Sequence, residues 1–148
     1  MILLFWGGFQ HVFLSIAYQI TYDGKIIMIA CGAFYIAVGA DAVILNKELR
    51  LKTTCAKTRI CKVGVPKSSI DKYKEKLDEL GYSYIIFDYD KDKKELSKIF
   101  EGNGKKKKIE DFNKGCNCCE IGKNKSMTEY DEALKKYYEV EFGEAGIW

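Results

Sequence analysis

A chain of 148 residues, 47% hydrophobic and 30% charged, has the size and balance of one globular domain able to bury a real core, which excludes a wholly disordered chain. The net charge of +3 at pH 7 selects no partner, but its distribution is uneven: residues 46–76 hold ten Lys/Arg against three Asp/Glu, and residues 128–148 hold two against six. A basic surplus in the middle of a small domain suits a phosphate backbone, and equally a solvated mixed surface.

Residues 1–22 carry no charged side chain and are nearly long enough to cross a bilayer. Gln10, His11, Ser15 and Gln19 interrupt the run, Gly7-Gly8 weakens a helix, and no Lys or Arg precedes it as a signal peptide requires. A membrane anchor, a structural segment and an over-extended reading frame, with translation starting at Met28, are the readings open to it. His11, the only histidine, lies here, so a Ser-His or Cys-His pair finds little support.

The stretch from Lys25 to Ala42 organises the chain. Ile26, Ile27, Met28 and Ile29 read as a strand covered on both faces, ending in Phe34 and Tyr35 between Gly32 and Gly39. Two roles are open to Phe34: core packing, which is what most strand aromatics do, or an apolar group offered to a partner. Asp41–Leu49 reads as a helix with Ala42, Leu45 and Leu49 on one face. Lys52–Cys55 and Arg59–Val63 are short strands around a basic turn, and Gly64-Val65-Pro66 is expected to stop the second. Ile70, Tyr73, Leu77 and Leu80 repeat at helical spacing, with Ser68 or Ser69 as cap, Asp71 at a capping-box position and Gly81 at the end. Tyr82–Tyr89 follows as a buried strand. Asp90–Lys98 reads as a charged, helix-like segment, and Glu101–Lys114, with the run Lys105–Lys108, as a flexible linker or a phosphate-gripping arm. Thr128 and Asp131 open a last helix whose stripe of Tyr130, Ala133, Leu134 and Tyr137 packs on the sheet or docks a partner protein. The sum is an α/β domain: a mixed β-sheet with flanking helices, plus a C-terminal helix.

The order strand, G-x-F-Y, D-A helix, strand, G-V-P, Y-x-x-K-L and G-Y turn resembles the N-terminal mismatch-recognition domain of the MutS family. The residues that carry it are Gly32, Phe34, Tyr35, Asp41, Ala42, Gly64, Val65, Pro66, Tyr73, Lys76, Leu77, Gly81 and Tyr82, within residues 25–90. The resemblance implies that Phe34 stacks on a base from the minor groove; family members use a glutamate two positions later to hydrogen-bond that base, and here the position is Ile36. An apolar wedge without its polar reader still unstacks a base step. The chain is also similar to stand-alone MutS-like accessory proteins found beside reverse transcriptases of diversity-generating retroelements, in length, in IACGAFYIAVGADA and in the ending Gly143–Trp148. That similarity favours the over-extended start.

The expected organisation is a hydrophobic segment at 1–22, a MutS domain I-like unit at 23–100, a basic Cys-containing linker at 101–127, and a helix and tail at 128–148. The expected function is a non-catalytic, cytoplasmic accessory protein that binds distorted or unpaired DNA or RNA through Phe34, Tyr35, Lys57, Arg59, Lys62 and Lys67, with a reverse transcriptase as partner enzyme and no membrane. The alternative is a protein-docking module without nucleic-acid contact. No phosphate loop, second histidine or framed carboxylate pair is present, so no catalytic residue is nominated. Cys116, Cys118 and Cys119 form C-x-C-C, and Cys55 and Cys61 flank a turn. Neither spacing is a zinc knuckle, so no cofactor is called and free thiols are expected.

Overall fold

The computed structural model describes residues 24–56, 60–90, 92–93, 95–106 and 127–143. Six strands form one mixed sheet in the order β3-β4-β2-β1-β5-β6. They are β1 (Ile26–Cys31), β2 (Phe34–Val38), β3 (Thr53–Cys55), β4 (Cys61–Pro66), β5 (Tyr84–Asp90) and β6 (Glu95–Gly102), with helices α1 (Ala40–Leu49), α2 (Ile70–Leu80) and α3 (Met127–Tyr138). β1 runs parallel to β5, and the other pairings are antiparallel. This is the expected mixed sheet with flanking helices and a C-terminal helix.

Period-two alternation along the central strands sends side chains to two separate cores. On one face Ile26, Met28, Ala37, Val63, Val65, Tyr84 and Ile86 pack under Ile44 and Leu45 of α1 and Ile70 and Leu77 of α2. On the other, Ile27, Ile29, Val38, Ile85 and Phe87 pack under Ala133, Leu134, Tyr137 and Tyr138 of α3. Both faces of β1 are therefore dry, which is why its sequence is a continuous apolar run rather than an alternating one. Of the expected α3 stripe, Ala133, Leu134 and Tyr137 are used on the sheet, with Tyr138 beside them.

Asp41 joins the layers. It sits in the first turn of α1, is buried, and its carboxylate accepts the Ile27 N–H at 3.1 Å, supplying a partner to the central strand where β2 turns away into the helix. Gly39, at φ +62°, makes that strand-to-helix corner; its N–H donates to Cys61 O, and its carbonyl accepts the Val43 N–H.

Several local expectations are corrected. Residues 25–38 form not one strand but two, joined at Gly32-Ala33; Gly32 has φ +60° and Ala33 does not have positive φ, the pattern of a II′ hairpin turn. Gly64-Val65-Pro66 does not stop β4 but completes it, because Pro66 stands at the strand's end opposite Phe34 and Lys67 supplies the next N–H, to Ala33 O. No side-chain hydrogen bond caps α2; a 3₁₀ turn, Lys67–Ser69, leads into it instead, while Gly81 closes it in the left-handed conformation as expected. Asp90–Lys98 turns and enters β6 rather than a helix. The sheet thus reaches Gly102, and Lys105 is tied to it through Gly81 O and the Ser83 N–H. Cys61 is disulfide-bonded, against the expectation of free thiols, whereas Cys31 is a free, exposed thiol.

Leu134 is 1% exposed, so Leu134→Ala should cost about 2–5 kcal/mol in denaturant unfolding, and exposed Glu132→Ala within about 0.5 kcal/mol. Equal effects would detach α3 from the fold. Tyr82 and Tyr84 are both pushed up to about 12, by burial first and then by donating to Glu48 and Asp78 respectively. Their neutral forms are favoured in the folded state, so the stability they contribute is complete below the unfolded tyrosine value of 10 and is lost as pH rises through about 12. A tyrosinate absorbance titration should show these two ionising after the exposed tyrosines and together with loss of fold.

Candidate nucleic-acid interface

The β1–β2 hairpin ends at one edge of the α3-covered face. Cys31 pairs with Phe34, Phe34 with Pro66, and Ile36 with Gly64, so Phe34 and Ile36 stand on the same face, two residues apart on β2. Phe34 is 43% exposed; among the described residues only it and Ile99 are large apolar side chains in that condition. Full burial of such a ring is worth about 1.5–3 kcal/mol, so leaving nearly half of it in water forgoes about 1 kcal/mol of stability. Core packing alone does not account for its position.

Gly64 seats the ring. A Cβ built there would lie 3.1 Å from Phe34 Cδ1 and 3.3 Å from Ile36 Cδ1, so the two side chains lie side by side across the bare backbone of β4. The sequence hides this role, because glycine beside proline reads as the end of a strand. The signal available was a lone glycine inside an apolar run, which marks close approach of a neighbour.

The structure brings some of the expected site residues together and separates others. Lys62 shares the face of Phe34 but stands opposite Val38, four residues along β4 from Phe34's partner Pro66, roughly 13 Å along the strand. Tyr35 points the other way: it is buried in the core under the helices, with its hydroxyl pKa raised by burial first and then by the charge of Asp88. Phe34 and Tyr35 are thus not one exposed pair. The Lys67 ammonium lies 5.5 Å from the centre of the Tyr35 ring, which places it near the same end of the sheet from the opposite side. Lys57 and Arg59 lie outside the described residues, as do Cys116, Cys118 and Cys119. Among the described residues no group of three His, Cys, Asp or Glu is placed to hold a metal ion, and no helix is long and apolar enough to cross a membrane.

Ile36 is half-buried and packs against the α3-side core. The face that carries Phe34 therefore offers an aromatic ring, an aliphatic neighbour and, farther along β4, a lysine. It can stack and attract a phosphate, but position 36 offers no hydrogen bond to a base.

Comparison with known proteins gives the same direction. The family described as MutS domain I matches residues 8–103. A DNA mismatch repair protein MutS from Synechocystis sp. is 33% identical over 72 residues, covering 45% of this chain and 8% of that protein.

Gly64→Ala tests the seat. The added methyl group should displace the exposed Phe34 ring by a few tenths of an ångström with little change in melting temperature, seen as shifted Phe34 ring resonances in an NMR spectrum. Unshifted resonances would mean that Gly64 does not position the ring.

Proposed function

The chain belongs to the MutS domain I family, and from that premise we propose that it binds nucleic acid at distorted or unpaired sites, with Phe34 as an apolar wedge and no catalysis of its own. The observation that carries this reading is the half-exposed Phe34 ring seated on Gly64 at the open end of the sheet. In this reading Lys62 and Lys67 hold the backbone, with Lys57 and Arg59 as further phosphate contacts; Tyr35 supports Lys67 from within and does not touch a base. Ile36 replaces the family's polar reader, so the site senses unstacking and not the identity of a mispair.

The chain is about the size of one recognition domain and spans only 8% of the MutS relative, so the activity of the whole repair protein is not carried over. The finer reading is a cytoplasmic accessory factor that presents or protects nucleic acid beside a retroelement reverse transcriptase, and its support is the similarity to stand-alone MutS-like proteins of that kind.

Fluorescence anisotropy on perfect, mismatched and single-stranded DNA and RNA at several salt concentrations tests both halves. Phe34→Ala should remove about 1–3 kcal/mol from unpaired or mismatched ligands and leave the salt slope intact. Lys62→Ala or Lys67→Ala should weaken all ligands alike and flatten the log–log slope by about 0.7–0.9 per lost contact. Ile36→Glu should sharpen discrimination between mispairs, at a stability cost of about 1–2 kcal/mol for the apolar contacts it gives up. Equal binding by wild type and Phe34→Ala on every ligand would sink the wedge. No binding at low salt would leave protein docking as the better reading.

A further inference from the structure

The two helices on the face away from Phe34 leave a cleft between the end of α1 and the length of α2. It encloses about 650 Å³, within the roughly 300–1,000 Å³ of small-molecule sites. Lys47 and Arg50 line it from α1, and Lys72 and Lys76 from α2. Three carboxylates, Glu48, Glu75 and Glu79, line it as well. Glu48 is engaged, because it accepts the Tyr82 hydroxyl at 2.9 Å. The others are not: Lys72 and Glu75, and Lys76 and Glu79, have the i,i+3 spacing at which Asp71 and Lys74 of the same helix pair at 3.4 Å, yet among the described residues none of the four cleft cations forms an ion pair. Lys72 and Lys76 stand four apart, where like charges on one helix face repel. The Lys72 ammonium lies instead 5.1 Å from the centre of the Tyr73 ring, which is half-buried against the core under the helices. Arg50 has φ +57°, and is the one non-glycine residue with positive φ among those described. Glycine fills such a helix end at the least cost, so the side chain is there in spite of its backbone. Asn46 Nδ2 donates to Leu51 O at 2.7 Å and pins the turn that carries it. Tyr73 and Lys76, singled out by the Y-x-x-K-L pattern, have no part in the Phe34 surface, and both line this cleft.

We infer that the α1–α2 cleft binds a nucleoside triphosphate, with Lys47, Arg50, Lys72 and Lys76 on its phosphates and Glu75 and Glu79 accepting from its sugar hydroxyls or base amine. Cations alone would suit any polyanion, but a ligand made only of phosphate would meet two carboxylates that repel it. A nucleotide carries both kinds of group, acceptor oxygens on the phosphates and donors on the sugar and base, and so satisfies both signs of the lining. The cleft also has the volume of a small molecule and not the breadth of a duplex. The site is separate from the Phe34 surface and does not rest on the nucleic-acid reading.

The test is isothermal titration calorimetry of the full-length chain at low salt, with ATP and, separately, inorganic tripolyphosphate. Wild type should bind ATP more tightly than tripolyphosphate. Lys76→Gln should weaken ATP about fivefold or more, as loss of a charge-assisted contact does. Lys136→Gln, which removes an equal charge from an exposed position on α3, should leave ATP binding unchanged, and so should Phe34→Ala. Arg50→Gly keeps the left-handed backbone, so it should hold or raise the melting temperature while weakening ATP severalfold. The double variant E75A/E79A should abolish the preference for ATP over tripolyphosphate. Equal wild-type affinity for the two probes, equal losses in Lys76→Gln and Lys136→Gln, or no ATP binding at all would overturn the inference. A lower melting temperature with unchanged affinity in Arg50→Gly would make Arg50 a helix-end residue and overturn its place in the site. Displacement of ATP by excess oligothymidylate would make the cleft part of a nucleic-acid surface and overturn the separate site.

Discussion

A six-stranded sheet whose central strands are apolar on both sides must be covered twice, and that requirement arranges everything else in this chain. The first cover comes from α1 and α2, in the interval between strands where a compact α/β topology supplies helices cheaply. The second comes from α3, far along the sequence, and without it Ile27, Ile29, Ile85 and Phe87 would face water. Coverage ends before the tip of the β1–β2 hairpin. Phe34 is exposed because it stands just beyond the edge of what α3 protects, while Ile36, two residues inward, is already half-buried against the same cluster.

The alternation of a strand then decides which neighbours in sequence are neighbours in space. Phe34 and Tyr35 are adjacent in the chain and lie on opposite sides of the sheet; Phe34 and Gly64 are thirty residues apart and touch. A glycine is needed at 64 not for its backbone freedom but for the missing side chain, since the ring occupies the space above it. The proline at 66 is tolerated for a related reason: it is the last residue of β4, and Lys67 makes the bond to the hairpin that proline cannot.

Much of the fold was legible because its strongest signals are local. The run Ile26–Ile29 announces a doubly buried strand, and Ile70, Tyr73, Leu77 and Leu80 before Gly81 announce α2 and its end. What was misread had a pattern that serves two structures. Leu96, Ile99 and Phe100 fall at helical spacing, yet they belong to a strand, because the irregularity between Ile86 and Phe87 shifts the pairing so that Leu96 joins one core and Phe100 the other. The hairpin was hidden because both of its strands are apolar, leaving Gly32-Ala33 as the one local sign of a turn. For the site, the flanking glycines and the family resemblance together point to Phe34, whereas the loss of Tyr35 from the surface depends on which face α1 and α2 cover, a tertiary fact. Lys62 and Lys67 were chosen for charge, and only the register of β4 shows that the first shares the face of the ring.

The exchange of a polar reader for Ile36 and the presence of α3 beside it are two sides of one physical choice. A carboxylate at position 36 would stand opposite Ile29 and against the core that α3 covers, where an unpaired charge is costly unless a ligand or donor satisfies it. Isoleucine removes that cost and lets α3 close over the sheet nearly to the hairpin. Position 36 is thereby tied to the cover that α3 provides, whereas Phe34, two residues nearer the hairpin tip on the same face, stays half in water.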